Sequence, residues 1–214
     1  MKYFRLILCF LSLSISLLAA KSVQAYIPQR GNVVATLSPY FFKTNYDGHE
    51  QGQNKMTTGI SLVANGDVDN KGSLEIAAIY MNKTYFREDG NRTVAEKTQL
   101  MHITMGYRRW WTEPFSTSLA LYTSYPMGLV DVLHNDFTPE EDMGTTARST
   151  TETGLDLALQ YELINRERFT IVAEGRYSYS LTKKSNEYAD QYGASIGIRY
   201  FIQSKVASPK ELRE

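Results

Sequence analysis

Cysteine is nearly absent from this sequence of 214 residues; Cys9 is the only one. That excludes a disulfide framework and any cluster of thiolate metal ligands. Long apolar runs are also missing. Only Leu6 to Ala20 approaches the roughly 20 residues a spanning helix needs, so a bundle of membrane helices is excluded. Neither sign of charge dominates, with 23 basic and 23 acidic side chains, and no basic patch of the nucleic-acid-binding kind is expected. Residues 26–203 contain no Gly/Ser/Pro-rich linker and no repeat of roughly 20–50 residues. No segment carries a helical apolar stripe for three turns. What remains is rich in apolar side chains, 43%, and in tyrosine, 15 residues, which is too hydrophobic for a disordered chain.

The first 25 residues read as an export signal. Lys2 and Arg5 supply the positive start, Leu6 to Ala20 the apolar stretch, and Val23-Gln24-Ala25 a small residue at the cleavage point. Cleavage after Ala25 is expected to leave Tyr26 as the first mature residue and to remove Cys9. The mature chain then folds in an oxidising compartment without a disulfide, so its stability must come from architecture.

The mature part alternates. Eight period-two runs, each bounded by polar turn residues, predict strands near 32–45, 55–65, 73–87, 97–110, 115–126, 149–163, 168–182 and 190–203. One face of each is apolar and uncharged, as in Leu74, Ile76, Ala78, Tyr80 and in Leu155, Leu157, Leu159, Tyr161. Alternation alone leaves open whether that face is a soluble core or a lipid surface. The opposite face decides. It is mostly small, as in Thr104, Gly106, Ser118, Ala120, Ala158 and Ser178, where a water-facing surface would favour Lys and Glu. The interior of an eight-stranded barrel is only wide enough to be filled by side chains, which suits small residues with a few long ones. The long ones are Glu75, His102, Arg108, Asp156, Glu162, Glu174, Arg176 and Arg199, a nearly balanced set expected to form a structural charge network in the lumen. Asp156 and Arg176 come roughly opposite if the connection at 164–167 sets the register.

Two aromatic groups are expected to form belts at the membrane interfaces: Trp110, Trp111, Phe115, Tyr161, Phe169 at one end and Tyr85, Phe86, Tyr125, Tyr177, Tyr179 at the other. The second, fourth and sixth connections are compact, the odd ones longer, up to 127–148. Short turns opposite long loops is the asymmetry of outer-membrane barrels, whose long loops face outward, so both termini are expected in the periplasm.

At this point the chain resembles the small outer-membrane β-barrel family, that of OmpX and the transmembrane domain of OmpA, over about 26–203. The last strand, Ser195-Ile196-Gly197-Ile198-Arg199-Tyr200-Phe201-Ile202, is similar to the family's assembly signal. The family usually ends on an aromatic residue, whereas here 204–214 adds a short charged tail, read as periplasmic. The resemblance implies an all-β, eight-stranded antiparallel up-and-down transmembrane barrel. It implies outer-membrane lipid, lipopolysaccharide and the outer-membrane assembly machinery as partners.

No catalytic, cofactor or metal site is expected. Some barrels of this kind modify lipids, which would need a Ser or Asp activated by His on the lipid-facing rim, and His102 falls on the inner face. His134 lacks a spaced partner for a metal. The stretch Asn65 to Gly72 departs from a calcium loop at the positions that ligate. The acidic run Asp136 to Asp142 reads as a solvated loop, with cation bridging to lipopolysaccharide as a second reading. The leading functional expectation is a non-enzymatic barrel serving envelope integrity and surface interaction, with a surface ligand the sequence does not name. A narrow channel is the alternative, and a lipid-modifying enzyme the third.

Overall fold

A computed structural model of the chain describes residues 26–141, 143–166 and 169–203. The expected export signal, 1–25, and charged tail, 204–214, lie outside the described residues. The described chain forms ten strands: β1 (Val33–Thr44), β2 (Thr57–Asp67), β3 (Gly72–Asp89), β4 (Arg92–Trp110), β5 (Phe115–Pro126), β6 (Asp131–Asn135), β7 (Glu152–Asn165), β8 (Phe169–Ser180), β9 (Glu187–Tyr188) and β10 (Gln191–Gln203). Eight of them make an antiparallel wall in the order β1-β2-β3-β4-β5-β7-β8-β10, and β10 pairs back onto β1 to close it. Closure leaves the wall without an edge, so its backbone groups pair within the wall. Paired residues followed around it run from Thr170 through Arg199, Thr36, Val63, Ala77, Thr104, Tyr122 and Gly154 to Ser180. The path returns to β8 displaced by ten residues, which tilts the strands by roughly 40°.

The strands alternate as their sequence does, and the apolar side faces out. Leu74 and Ile76 on β3, Met105 on β4, Leu119 and Leu121 on β5, Leu157 and Leu159 on β7, and Ile196 and Ile198 on β10 are each more than half exposed. The partners between them are buried. A band of aliphatic side chains this continuous is a lipid-facing surface, which water would expel. Tyr192 and Tyr200 bound it on β10, eight residues apart, or about 20 Å along the barrel axis. Trp111, Tyr161 and Phe169 stand with Tyr200 at one rim, and Tyr125 and Tyr179 with Tyr192 at the other.

Three members of the expected belts are corrected. Trp110 and Tyr85 are buried, since both share the inward parity of Arg108 and Glu75. Phe86 points outward beyond the wall but is covered, stacked on Tyr46 at a centroid distance of 4.0 Å.

The two ends differ. At the turn end the connections are 68–71, 111–114 and 166–168. At the loop end they are 45–56, 127–151 and 181–190, but the connection between β3 and β4, at the same end, is no loop. The segment 88–96, expected as a loop, is strand on both sides of a two-residue turn, Gly90-Asn91. Gly90 takes φ 63°, the left-handed conformation that a tight hairpin needs at its first central position and that a side chain disfavours. From Asn82↔Gln99 to Asp89↔Arg92 the β3–β4 hairpin runs on past the pairings with β2 and β5, about 25 Å along the strand. There β9 pairs with Phe86 and Arg87, and β6 with Val94, Ala95, Glu96 and Lys97. A four-stranded sheet, β9-β3-β4-β6, thus rises from the loop end of the wall.

Candidate functional site

The barrel interior and the cap above it are the places where the chain invests its polar chemistry. The interior is layered. At the turn end Arg199 pairs with Glu162 and bonds Gln160, its guanidinium 5.0 Å from the Trp110 ring and 5.4 Å from the Tyr26 ring. The Tyr26 hydroxyl and the Gln29 amide donate to Asp67, which also accepts from Ser73 at 2.7 Å. Tyr26 leans on Trp110 and Phe201 and closes this end.

The middle layer holds most of the charge. Arg108 reaches Glu75 at 2.5 Å and Glu174 at 2.8 Å. Arg176 reaches Asp156 at 2.7 Å and Glu174 at 2.8 Å, with Glu75 at 3.6 Å. Asn65 and Ser118 donate to Glu75, and Ser178 to Asp156. His102 sits between Asp156, 3.2 Å from Nε2, and Ser124 Oγ, 2.9 Å from Nδ1. All of these side chains are buried. Carboxylates and guanidiniums this far from water need such mutual contacts, because an isolated buried charge is expensive. Two-pronged guanidiniums suit the task, each bridging two acids.

All eight residues singled out from the sequence lie in these two layers. Asp156 and Arg176 meet on the diagonal: Arg176 stands opposite Ala158, and Asp156 opposite Ser178.

Toward the loop end the interior becomes apolar. Tyr40, Phe42, Ile79, Met81 and Leu100 pack with Ala147 and Ala189 from two of the loops. One carboxylate, Glu152, is embedded beside them. Lys83 donates to it at 2.8 Å, and the hydroxyls of Tyr85 and Tyr122 donate at 2.6 and 2.8 Å. Alternation also places Asp67, Lys83 and Glu152 inward, but Asp67 and Glu152 are terminal residues of their strands and Lys83 lies beyond the β2 pairing of β3, where composition gives no contrast between faces.

Above this layer the 127–151 connection folds back as a cap. Thr145 donates to Glu96 through its amide, 2.9 Å, and its hydroxyl, 2.6 Å, and Arg148 adds an ion pair at 2.5 Å. Thr146 donates to Glu187 through both its amide and its hydroxyl. The short turn Thr146–Arg148 is thereby held by one carboxylate from β4 and one from β9. Further out Arg92 joins the acidic run to the hairpin tip, bonding Glu141 at 2.6 Å and lying over the Phe137 ring. The Thr93 amide donates to Asp136 at 3.0 Å and, with His134 beside it, holds that carboxyl below its ordinary pKa. The Glu141 carboxyl is lowered likewise, first by Arg92 and then by the Thr138 amide.

Two sequence expectations about chemistry meet specific geometry. Ser124, His102 and Asp156 have the membership of a hydrolase triad, but the ring is reversed, with the acid on Nε2 and the hydroxyl on Nδ1. The cavity against Ser124 measures about 10 Å³, room for about one water. His134 lies 3.0 Å from Asp136 and 3.8 Å from Glu50. No group of three His, Cys, Asp or Glu side chains suited to a metal occurs among the described residues.

No protein-family model and no curated protein sequence matches the chain. Solved structures do. The fold is similar to that of the outer membrane protein OprG from Pseudomonas aeruginosa, with 12% identity over 86% of this chain and 100% of that one and a TM-score of 0.52. Ail, the attachment invasion locus protein of Yersinia pestis, gives 13% identity, 80% and 100% coverage and a TM-score of 0.48. Neisserial surface protein A gives 12% identity, 79% and 97% coverage and a TM-score of 0.44. At such identities the fold is what is shared. This chain has the fold of the small eight-stranded outer-membrane β-barrels.

Proposed function

We propose that this is a non-enzymatic barrel of the bacterial outer membrane whose wall adds to envelope integrity and whose projecting sheet makes contacts at the cell surface. In this reading 1–25 directs export, the turn end and both termini face the periplasm, and the loop end faces outward. Lipid and lipopolysaccharide surround the wall, and the last strand is presented to the outer-membrane assembly machinery. The fold likeness to OprG, an outer membrane protein by name, supports the location.

The observation that carries the surface role is the β9-β3-β4-β6 sheet. A hairpin that continues so far past the membrane band, braced on both edges and tied to the cap, is costly to order unless the rigid surface is used. The lumen charge network fits a plug in place of a pore, and the filled interior counts against the channel reading. The reversed, enclosed Ser124–His102–Asp156 trio counts against a hydrolase, since a lipid substrate needs several hundred Å³ of space.

The test uses cells producing the full precursor. A short tag inserted at the Gly90-Asn91 turn should be labelled on intact cells, whereas a tag after Glu214 should be labelled only once cells are broken. Lipid A mass spectra should be unchanged by production of the protein. Failure to label the Gly90-Asn91 tag on intact cells would contradict the outward sheet, and a modified lipid A would contradict the non-enzymatic reading.

A further inference from the structure

The turn-end layer of the interior is short of one positive charge. Asp67 and Glu162 are both buried there, and Arg199 is the one cation with them among the described residues. Arg199 commits its fork to Glu162 and Gln160. The partners of Asp67 are a phenol, a backbone amide and a serine hydroxyl, all neutral. Among the described residues the second oxygen of Glu162 is met by the backbone nitrogen of Tyr26, at 2.9 Å. Tyr26 itself is buried, its ring fixed between Trp110 and Phe201 and its hydroxyl on Asp67, so this nitrogen is held at Glu162 by its own side chain.

Tyr26 is also the residue that follows the cleavage point read from Val23-Gln24-Ala25. We infer that export processing creates a structural ion pair: the α-ammonium of Tyr26, freed by cleavage after Ala25, seats inside the periplasmic mouth of the barrel against Glu162. Hydrolysis of the Ala25–Tyr26 bond by a signal peptidase consumes one water, leaves a carboxylate on Ala25, and gives Tyr26 an amine that takes up a proton. A neutral amide donor thereby becomes a cation with three N–H groups, and the turn-end layer changes from a net single negative charge to balance. Charge-assisted bonds of this kind are roughly twice as strong as neutral ones. The inference rests on the export reading and extends it, because it gives the new terminus a role in holding the barrel together.

The precursor is produced in Gram-negative cells and the folded protein recovered from the envelope. Its terminal peptide should begin at Tyr26; any other start overturns the inference. Brief acylation of the folded protein, followed by denaturation and peptide mapping, should leave the Tyr26 amine at least about tenfold less modified than in unfolded protein. The exposed Lys55 and Lys71 serve as internal standards. An α-amine that reacts as fast folded as unfolded overturns the pairing. In a second arm, one glycine is inserted between Ala25 and Tyr26, which moves the ammonium away and leaves every side chain in place. Heat-induced unfolding, followed by gel mobility, should run about tenfold faster for this variant and faster still for Glu162→Gln, which also strips Arg199 of its partner, and the insertion should add nothing once Glu162 is gone. An insertion without effect, or effects that multiply, overturns the inference. The acylation arm needs no variant, so it decides even if Glu162→Gln does not fold. Protein that begins at Tyr26 but fractionates away from the outer membrane would defeat the proposed location and leave the ion pair standing.

Discussion

Arg176→Met is the perturbation that puts the filled interior under most stress. The guanidinium makes three charge-assisted bonds, one to Asp156 at 2.7 Å and two to Glu174 at 2.8 and 3.2 Å, with Glu75 3.6 Å away. Methionine fills much of the same volume, so the effect is that of charge. Without Arg176, Glu75 and Glu174 retain Arg108, but Asp156 keeps only Ser178 and His102. Breaking a buried ion pair from one side costs about 3–5 kcal/mol, because the partner is left uncompensated. Adding Asp156→Leu should recover part of that cost, since the orphaned carboxylate goes with its partner. The exposed pair Arg92–Glu141 is the control, and Arg92→Met should cost far less than Arg176→Met because solvent screens that pair. The assay is urea unfolding of the barrel in lipid vesicles, read by gel mobility and tryptophan fluorescence, with the slope against urea checked for constancy. A loss under about 1 kcal/mol for Arg176→Met, or equal losses for Arg176→Met and Arg92→Met, would show that Asp156 does not depend on Arg176 for its counter-charge.

Further predictions concern the loop end. Glu152→Gln should cost about 3–5 kcal/mol by stranding Lys83, whereas Tyr122→Phe, which removes one hydroxyl from the same carboxylate, should cost only about 1 kcal/mol in the same vesicle assay; the reverse order would contradict the assigned contacts. Glu96→Ala should release the cap while sparing the wall, with amide exchange at 144–149 at least about tenfold faster and exchange in β7 unchanged. Acid should loosen the acidic run: Asp136 and Glu141 have depressed folded pKa values, so their anchoring is complete above an ordinary carboxylate pKa of about 4 and is lost as pH falls through the folded values. Protease cleavage within 127–148 should accordingly be slow at neutral pH and rise below about pH 4, where uniform cleavage across that range would count against the Arg92 and Thr93 contacts.

The wall was legible because lipid imposes a strict rule on it. Every second residue must be apolar, and Leu155, Leu157 and Leu159 keep that rule so cleanly that strand, face and interior partner follow together. Where lipid ends, the rule ends. Thr93-Val94-Ala95-Glu96-Lys97-Thr98 continues β4 beyond the membrane band with no alternation, since both faces are covered by protein. The hairpin turn did have a sign, Asp89-Gly90-Asn91, a glycine among turn formers. Trp110 and Tyr85 follow parity and not the aromatic preference for a membrane interface, since both count inward from Arg108 and Glu75. The cap had no sign at all. Glu96 with Thr145 and Glu187 with Thr146 join residues more than 40 positions apart, through hydroxyls and amides that any polar loop contains.

A barrel plugged by paired charges under an anchored cap should not conduct. Single-channel recording of the wild-type protein in planar bilayers tests it most directly. The membrane should be as tight as one without protein, with ion steps emerging only when the Glu96 and Glu187 anchors and Arg176 are removed together. A steady conductance of hydrated ions through the unmodified barrel would contradict it.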